Sequence, residues 1–387
     1  MGALGFGGVL YYAAALWAAR GYSRAARRVR ALADDAEAAG YAPAVSVMKP
    51  LRGVDEGMYE ALASHCRQEY GGAWELIFGV GPQDFEAKAA VERLRAEFPR
   101  VAMELVECPL QLGPNGKVST LVQMLPRAKH GHILINDSDI FVGEKYLART
   151  MAAFAEPGVG MATAIYSGRC VADSKGRIPV WAKLEALTVS TDFFPGVLLA
   201  MQMERGVKFA LGGTLAVSRE ALDAMGGLRP LVDYLADDYQ LGIRVIAAGY
   251  KIAMSPEVVA TGVPAYGWDE FVAHQLRWLR TVRDERKAGY VGYATTFGLV
   301  WAVAAVIASL GALWSWALLS LSLAARLALA LAVGVGVLGD TQVLRDLWLV
   351  PARDFLGAGL WLASFAGHTV EWRGVKFRLV KGKLERE

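Results

Sequence analysis

Cysteine and charge are both scarce in this 387-residue sequence. The three cysteines, Cys66, Cys108 and Cys170, follow no regular spacing. That excludes a disulfide framework and gives no zinc-binding pattern; they read as reduced packing residues facing a reducing compartment. Charged residues make up only 20% of the chain and sum to a formal +3, too little to argue for nucleic acid as a partner. Internal repeats and low-complexity linkers are missing too, so the length accommodates one catalytic-size domain plus membrane segments. What abounds is apolar: 54% hydrophobic residues and a mean hydropathy of +0.29, with the excess gathered at the two ends.

At the N-terminus, Leu4 to Ala19 is an apolar run that nearly reaches the roughly 20 residues needed to span a bilayer. Its positive charges, Arg20, Arg24, Arg27, Arg28 and Arg30, come after the run, whereas a secretory signal carries them before it. The charge rule therefore predicts an uncleaved anchor over 1–22 with its start outside and the following domain in the cytoplasm. A second apolar stretch, Thr295 to Leu338, suits two spans, placed here at 293–340. Their turn falls near Trp314–Trp316, where tryptophan favours the interface, or at Ser320–Arg326. The first placement puts Arg326 inside the second span, where an arginine is normally paired or set in a polar cavity. Residues 345–372 include Asp346, Arg353 and Asp354 and only a short clean apolar run, Phe355 to Ala366; an interfacial or re-entrant segment is expected. A basic tail, 373–387, with Arg373, Lys376, Arg378, Lys381, Lys383 and Arg386, then returns to the cytoplasm.

Between the ends, residues 43–290 alternate strand-like and helix-like stretches. "AVSVMKPL", "WELIFGV", "VAMELVEC" and "GHILIND" read as strands; "YEALASHCRQEY", "EAKAAVERLRAEF" and "KVSTLVQMLPRA" read as helices. Such alternation predicts an α/β domain with a mostly parallel sheet flanked by helices. Ligands on such sheets bind at the carboxyl ends of the strands. Pro50, Gly81 to Asp84, and Asp137 to Asp139 all fall at those ends.

The stretch "HILINDSDIFVG" runs an apolar strand into two carboxylates at i and i+2, Asp137 and Asp139. Side chains so spaced on extended backbone point the same way and repel. A turn accounts for Asp and Ser there; a divalent cation between the carboxylates and an anion accounts for the pair. "LADDYQLGIRVIAAG" places Asp237 and Asp238 in the first turn of an apolar-periodic helix. They are dipole partners there, or one is a base for an incoming hydroxyl. "HQLRW" groups His274, Gln275, Arg277 and Trp278 ahead of the spans. These form an interfacial basic-aromatic belt, or Arg277 meets a departing diphosphate.

The ordered set "KPLRGVD", "GPNGKVSTL", "NDSDI", "YLADDY" and "HQLRW", over roughly Val45 to Arg283, resembles ceramide glucosyltransferases and their bacterial relatives, including hopanoid-biosynthesis glycosyltransferases. The resemblance implies a GT-A-type sheet over 43–290, a UDP-sugar donor (glucose or N-acetylglucosamine) and inversion at the anomeric carbon. It also implies a membrane-lipid acceptor, ceramide-type first and hopanoid polyol second. Asp137 and Asp139 match the motif that holds the diphosphate through Mn²⁺ or Mg²⁺, and Asp238 matches the general base. Arg277 and Trp278 match the end of the (Gln/Arg)-x-x-Arg-Trp motif. Lys49, Asp84 and Lys117 fall on the donor side, and Asp237 and His274 on the acceptor side; Gly212 and Gly213, in "LGGTLAVSRE", belong to the acceptor side or only shape a turn. Two positions depart from the pattern: His274 stands where Gln or Arg is usual, and Pro82 stands in the acid-rich run, leaving Asp84. The expected location is a bacterial-type inner (cell) membrane, multi-pass, with the catalytic domain cytoplasmic. A processive polysaccharide synthase and a non-catalytic lipid-binding membrane protein are the competing readings; three spans line a polymer channel poorly, and the retained acids argue against a mere binder.

Overall fold

A computed structural model describes residues 1–372 and 375–386, save the side chain of Ala288. Arg373 and the last residue of the basic tail lie outside the described residues. The chain divides into two compact units: Ala25–Asp173 with Glu204–Pro264, and Met1–Arg24 with Ser174–Met203 and Ala265–Glu387. Residues 174–203 and everything from 265 belong to the second unit.

The first unit is built on an eight-stranded sheet. Its strands are β1 (Val45–Pro50), β2 (Trp74–Val80), β3 (Met103–Glu107), β4 (His132–Ile135), β5 (Ile140–Phe141), β6 (Val159–Cys170), β7 (Leu215–Ser218) and β8 (Lys251–Val263). Their order is β3-β2-β1-β4-β7-β6-β8-β5. The first four pair in parallel, β6 and β8 pair in parallel, and β7 and β5 run against their neighbours. The mostly parallel sheet flanked by helices expected from the sequence is borne out, with all four expected strands in place. Crossover helices Met58–Cys66, Phe85–Glu97 and Gly116–Met124 cover it; Pro126 ends the last in a tight 3-10 turn, Leu125–Arg127, because it has no amide to donate.

Strand parity sorts the apolar residues into two cores. Val45, Val47, Phe78 and Leu134 pack with Leu62, Leu94 and Tyr146 on one face. Met48, Ile77 and Ile133 pack with Leu121, Val217 and Leu241 on the other. Both faces are covered, so the inner strands read as nearly continuous apolar runs. Gly79 lets the Gly116–Met124 helix close in: a Cβ there would stand 2.3 Å from Met124 Sδ. The parallel strands share one direction, so their carboxyl ends, the start of β7 and the end of β6 all fall on one edge.

The second unit is helical. Among the described residues, four stretches are long and apolar enough to cross a membrane: Gly2–Ala38, Val180–Met203, Gly289–Ala308 and Leu313–Val335. The second was not singled out in the sequence. The last two are joined at residues 309–312, where Leu310 and Gly311 take positive φ. The turn therefore lies just before Trp314–Trp316 rather than at Ser320–Arg326, and Arg326 sits inside the second helix with 2% exposure. It makes two 2.8 Å bonds to Asp354 and donates to Thr191 O at 3.0 Å. Arg353 donates to Asp192 at 2.7 Å and to Thr188 Oγ1 at 3.0 Å. Both partners come from the Val350–Ser364 helix, which at 15 residues is shorter than the roughly 20 a span needs.

The N-terminal helix packs backbone to backbone: a Cβ on Gly8 would fall 2.1 Å from Gly298 Cα. Tyr12 Oη donates to Thr296 O and accepts from Leu299 N. Residues of the basic tail form β10 (Val375–Val380) and β11 (Lys383–Arg386), which pair antiparallel with β9 (Thr369–Trp372) just before the tail.

Candidate functional site

The shared edge of the large sheet collects the polar side chains of the first unit. Beyond β4, Asn136 is fully buried; its amide donates to Gly213 O at 2.7 Å and to Tyr146 Oη at 2.9 Å. That fixes the strand end from which Asp137 and Asp139 project. The two acids are not equivalent. Asp137 has a side chain 40% exposed and meets Lys117 Nζ at 2.8 Å. Asp139 accepts from Thr261 Oγ1 at 2.8 Å, and burial first, then the neighbouring Asp137 charge, raises its carboxyl above the ordinary range.

Lys117 owes its position to a cap. Asn115 Oδ1 accepts from Val118 N, starting the Gly116–Met124 helix, while its Nδ2 donates to Tyr234 O at 2.7 Å. One side chain thus ties that helix to the loop entering the Asp237–Ala247 helix. As a result Lys117 also meets Asp237, at 3.1 Å. Burial disfavours its charge, but Asp137 and Asp237 outweigh this and hold the ammonium above its usual range.

Asp238 lies in the first turn of the Asp237–Ala247 helix and accepts from its neighbour Tyr239 N at 2.7 Å. Burial first, then Asp237, pushes its carboxyl up to about 6, against the pull of Lys117. Gly212 faces it: a Cβ there would stand 3.0 Å from Asp238 Oδ2. Gly213 gives its carbonyl to Asn136. The two glycines expected on the acceptor side therefore adjoin the acids.

Lys49 and Asp84 occupy the same edge but look inward. Lys49 is fully buried, donates to Asp137 O at 3.0 Å, and is pushed down to about 7 by burial, against Asp139 and Asp137. It supports the Asp137 backbone. Both oxygens of Asp84 are taken by backbone amides: Ala87 N at 3.2 Å, capping the Phe85–Glu97 helix, and Gly53 N at 2.5 Å. Thr261 and Tyr166 were not singled out in the sequence. The Tyr166 phenol is held up by burial and then by the fields of Asp238, Asp137 and Asp139. Both lie on strands that join this edge from later in the chain, so only the sheet order could have found them.

The remaining expected residues belong to the second unit, on the Trp268–Glu285 helix. His274 Nδ1 lies 2.5 Å from Glu185 Oε1, and Gln275 Nε2 donates to Glu185 Oε2 at 3.1 Å. Trp278 packs against His274 and Phe193, with ring centres 5.1 and 6.1 Å away. Arg277 lines a cavity with Arg280, Lys376 and Glu371. The expected set therefore divides, with Lys49, Asp84, Lys117, Asp137, Asp139, Gly212, Gly213, Asp237 and Asp238 on the sheet edge and His274, Arg277 and Trp278 in the helical unit.

Asp137 and Asp139 offer the hard oxygen donors that Mg²⁺ or Mn²⁺ prefers, but no group of three or more His, Cys, Asp or Glu side chains among the described residues could hold a metal ion. Two carboxylates suit a cation that completes its shell with waters and a ligand's phosphates.

A family model described as glycosyl transferase family 21 matches residues 3–385. Ceramide glucosyltransferase 3 of Caenorhabditis elegans is 28% identical over 241 residues, 62% of this chain and 50% of that protein. An N-acetylglucosaminyltransferase of Bradyrhizobium diazoefficiens is 23% identical over 259 residues, again 62% and 50%. The chain spans about half the length of these curated relatives. A mannosyltransferase from Pyrobaculum calidifontis, solved with GDP-mannose and Mn²⁺, superposes with a TM-score of 0.47 at 19% identity, covering 93% of this chain and 99% of that one.

Proposed function

The chain belongs to glycosyl transferase family 21, and from that premise we propose that it transfers one sugar, with inversion, from a UDP-sugar to the hydroxyl of a membrane lipid. The observation that carries this reading is Lys117, whose ammonium joins Asp137 of the donor-side pair to Asp237 of the acceptor-side pair within one unit. A ceramide-type acceptor comes first and a hopanoid polyol second, with glucose or N-acetylglucosamine as the sugar. The apolar helices support a membrane position, with the sheet unit in the cytoplasm.

Asp238 is the base. Its carboxyl, raised to about 6, is ionised at neutral pH yet basic enough to accept the proton of a lipid hydroxyl as that oxygen attacks the anomeric carbon. The bond from that carbon to the diphosphate breaks, and UDP departs with its electron pair. Gly212 keeps the approach to Asp238 open. Lys117 sits beside Asp137 where negative charge grows on the leaving group, and Lys49 holds the Asp137 carbonyl from below. A divalent cation held by Asp137 and Asp139 would neutralise part of the leaving diphosphate.

The test is incubation of the full chain with labelled UDP-glucose or UDP-N-acetylglucosamine against a panel of ceramide, hopanoid polyol and diacylglycerol, with mass spectrometry of the organic extract. One sugar on one lipid is expected, abolished by EDTA and restored by Mn²⁺ or Mg²⁺. Absence of any glycolipid and of UDP release across the panel would sink the reading.

A further inference from the structure

The turn Leu211–Thr214 borders Asp238, since a Cβ on Gly212 would stand 3.0 Å from its carboxyl. It closes on itself through Thr214 N and Leu211 O at 3.1 Å. Its first residue is clasped from β6: Thr163 Oγ1 accepts from Leu211 N at 2.9 Å and donates to Leu211 O at 3.2 Å. Its far end joins a ring of three fully buried side chains, Asn136, Tyr146 and Thr214.

Donor arithmetic fixes the direction of every bond in that ring. The Asn136 atom 2.7 Å from the Gly213 carbonyl is the amide nitrogen, because two carbonyl oxygens cannot bond each other. Its second hydrogen goes to Tyr146 Oη at 2.9 Å. Thr214 Oγ1 gives its one proton to Gly213 O at 2.9 Å, so in its 2.9 Å contact with Tyr146 it accepts. The phenol is the donor there, and burial, raising it above its usual range, keeps that proton in place. The donors thus run from Asn136 through Tyr146 and Thr214 to Gly213 O, where Asn136 also arrives directly. Each proton has one place to go, and a fully satisfied buried network of this kind holds one geometry.

Asn136 immediately precedes Asp137, and Gly213 immediately follows Gly212. The ring therefore joins the backbone that carries the donor-side acids to the turn that borders the base. The phenol comes from outside both segments, at the start of the Tyr146–Met151 helix. We propose that Tyr146 is a positioning residue whose hydroxyl sets the gap between the Asp137 and Asp139 segment and the Gly212 turn. The proposal rests on the transferase reading and deepens it. Transfer needs the attacking oxygen within about 3–3.5 Å of the anomeric carbon, so it is sensitive to this gap. Donor binding uses one side of the gap and is not.

The test compares variants of the full chain in detergent. Tyr146→Phe and Thr214→Val each open the ring and keep its volume. Thr150→Val removes a different buried hydroxyl contact of the same helix, the one at 3.1 Å to Ser255 Oγ. In the two ring variants kcat is expected to fall roughly ten- to a hundredfold, with KM for the UDP-sugar within about twofold of the wild type. The double variant is no slower than either single one, because the ring opens only once. Thr150→Val keeps its kcat. Hydrogen exchange gives a readout that needs no activity: opening the ring speeds exchange together at Leu211 and Thr214 and at Asn136 and Ile140, whose amides are bonded within or beside the two segments. Unchanged kcat in the ring variants of an active enzyme, losses that multiply in the double variant, or an equal loss in Thr150→Val overturns the proposal. A wild type that transfers no sugar loses the transferase reading, and exchange then decides the ring by itself: faster exchange in both segments upholds it, and in one or neither overturns it.

Discussion

Two clusters of charge lie in otherwise apolar surroundings, and their arithmetic differs. In the helical unit, Arg326 pairs with Asp354 and Arg353 with Asp192, with side chains no more than 7% exposed. Two cations meet two anions, and no further charge is called for. On the sheet edge, Asp137, Asp139, Asp237 and Asp238 lie among the described residues with two lysines, Lys49 and Lys117, and Asp137 stays 40% exposed. A balanced, closed cluster fixes a structure. An unbalanced cluster with an open side is a place that still wants a cation and a ligand.

That contrast breaks most visibly at the base. Asp238→Asn is expected to lower transfer roughly a hundred- to ten-thousand-fold while donor affinity by calorimetry stays near that of the wild type; a collapse of donor affinity contradicts the base assignment. In the balanced cluster the readout is stability instead. Arg326→Met leaves Asp354 buried without its partner and is expected to cost about 3–5 kcal/mol, read as a lowered midpoint of thermal unfolding in detergent. Adding Asp354→Leu should recover much of that loss, because a neutral pair of similar size removes the orphaned charge. A single variant as stable as the wild type would show that the pair is not what holds these helices.

Smaller effects sharpen the picture. Lys117→Met removes the ammonium shared by Asp137 and Asp237 and is expected to weaken UDP binding about tenfold, measured by calorimetry; unchanged affinity would leave Lys117 a purely internal strut. The least change is a pH trend with two signs. Folding raises the Asp238 carboxyl to about 6, so the native state binds a proton where the unfolded chain has released it. Its contribution to stability is full below the unfolded value and is lost as pH rises through about 6. Base activity runs the other way and grows over the same window. Unfolding midpoints and initial rates between about pH 4 and pH 8 should show both trends in the wild type, and Asp238→Asn should flatten the stability trend.

The sequence made the sheet legible because its inner strands are continuous apolar runs broken at Pro50, Gly81 and Asn136, and strand ends are where ligands gather on such a sheet. The acids Asp137, Asp139 and Asp238 could be singled out for the same reason. The inward turn of Lys49 could not, since a lysine in a central strand is tolerated there through the Asp137 carbonyl, 88 residues away, and the charges of Asp139 and Asp137. Thr261 and Tyr166 reach the edge through the order of β6 and β8, which no local pattern encodes. Val180–Met203 escaped notice because Lys183, Glu185 and Asp192 interrupt its apolar run. In the fold Lys183 meets Asp346, Asp192 meets Arg353 and Glu185 accepts from Gln275, and a helix whose charged groups are internally partnered looks from its sequence like a soluble one.

Tyr12 finds its partners at Thr296 and Leu299, 284 and 287 positions further along the chain. At roughly 5–20 residues per second, translation delivers those partners some 15–60 s after Tyr12 itself. Through that interval the face of the first helix that will meet Gly298 has nothing of its own chain to rest on, so whatever shields it in the cell must hold loosely enough to be displaced when the late helix arrives.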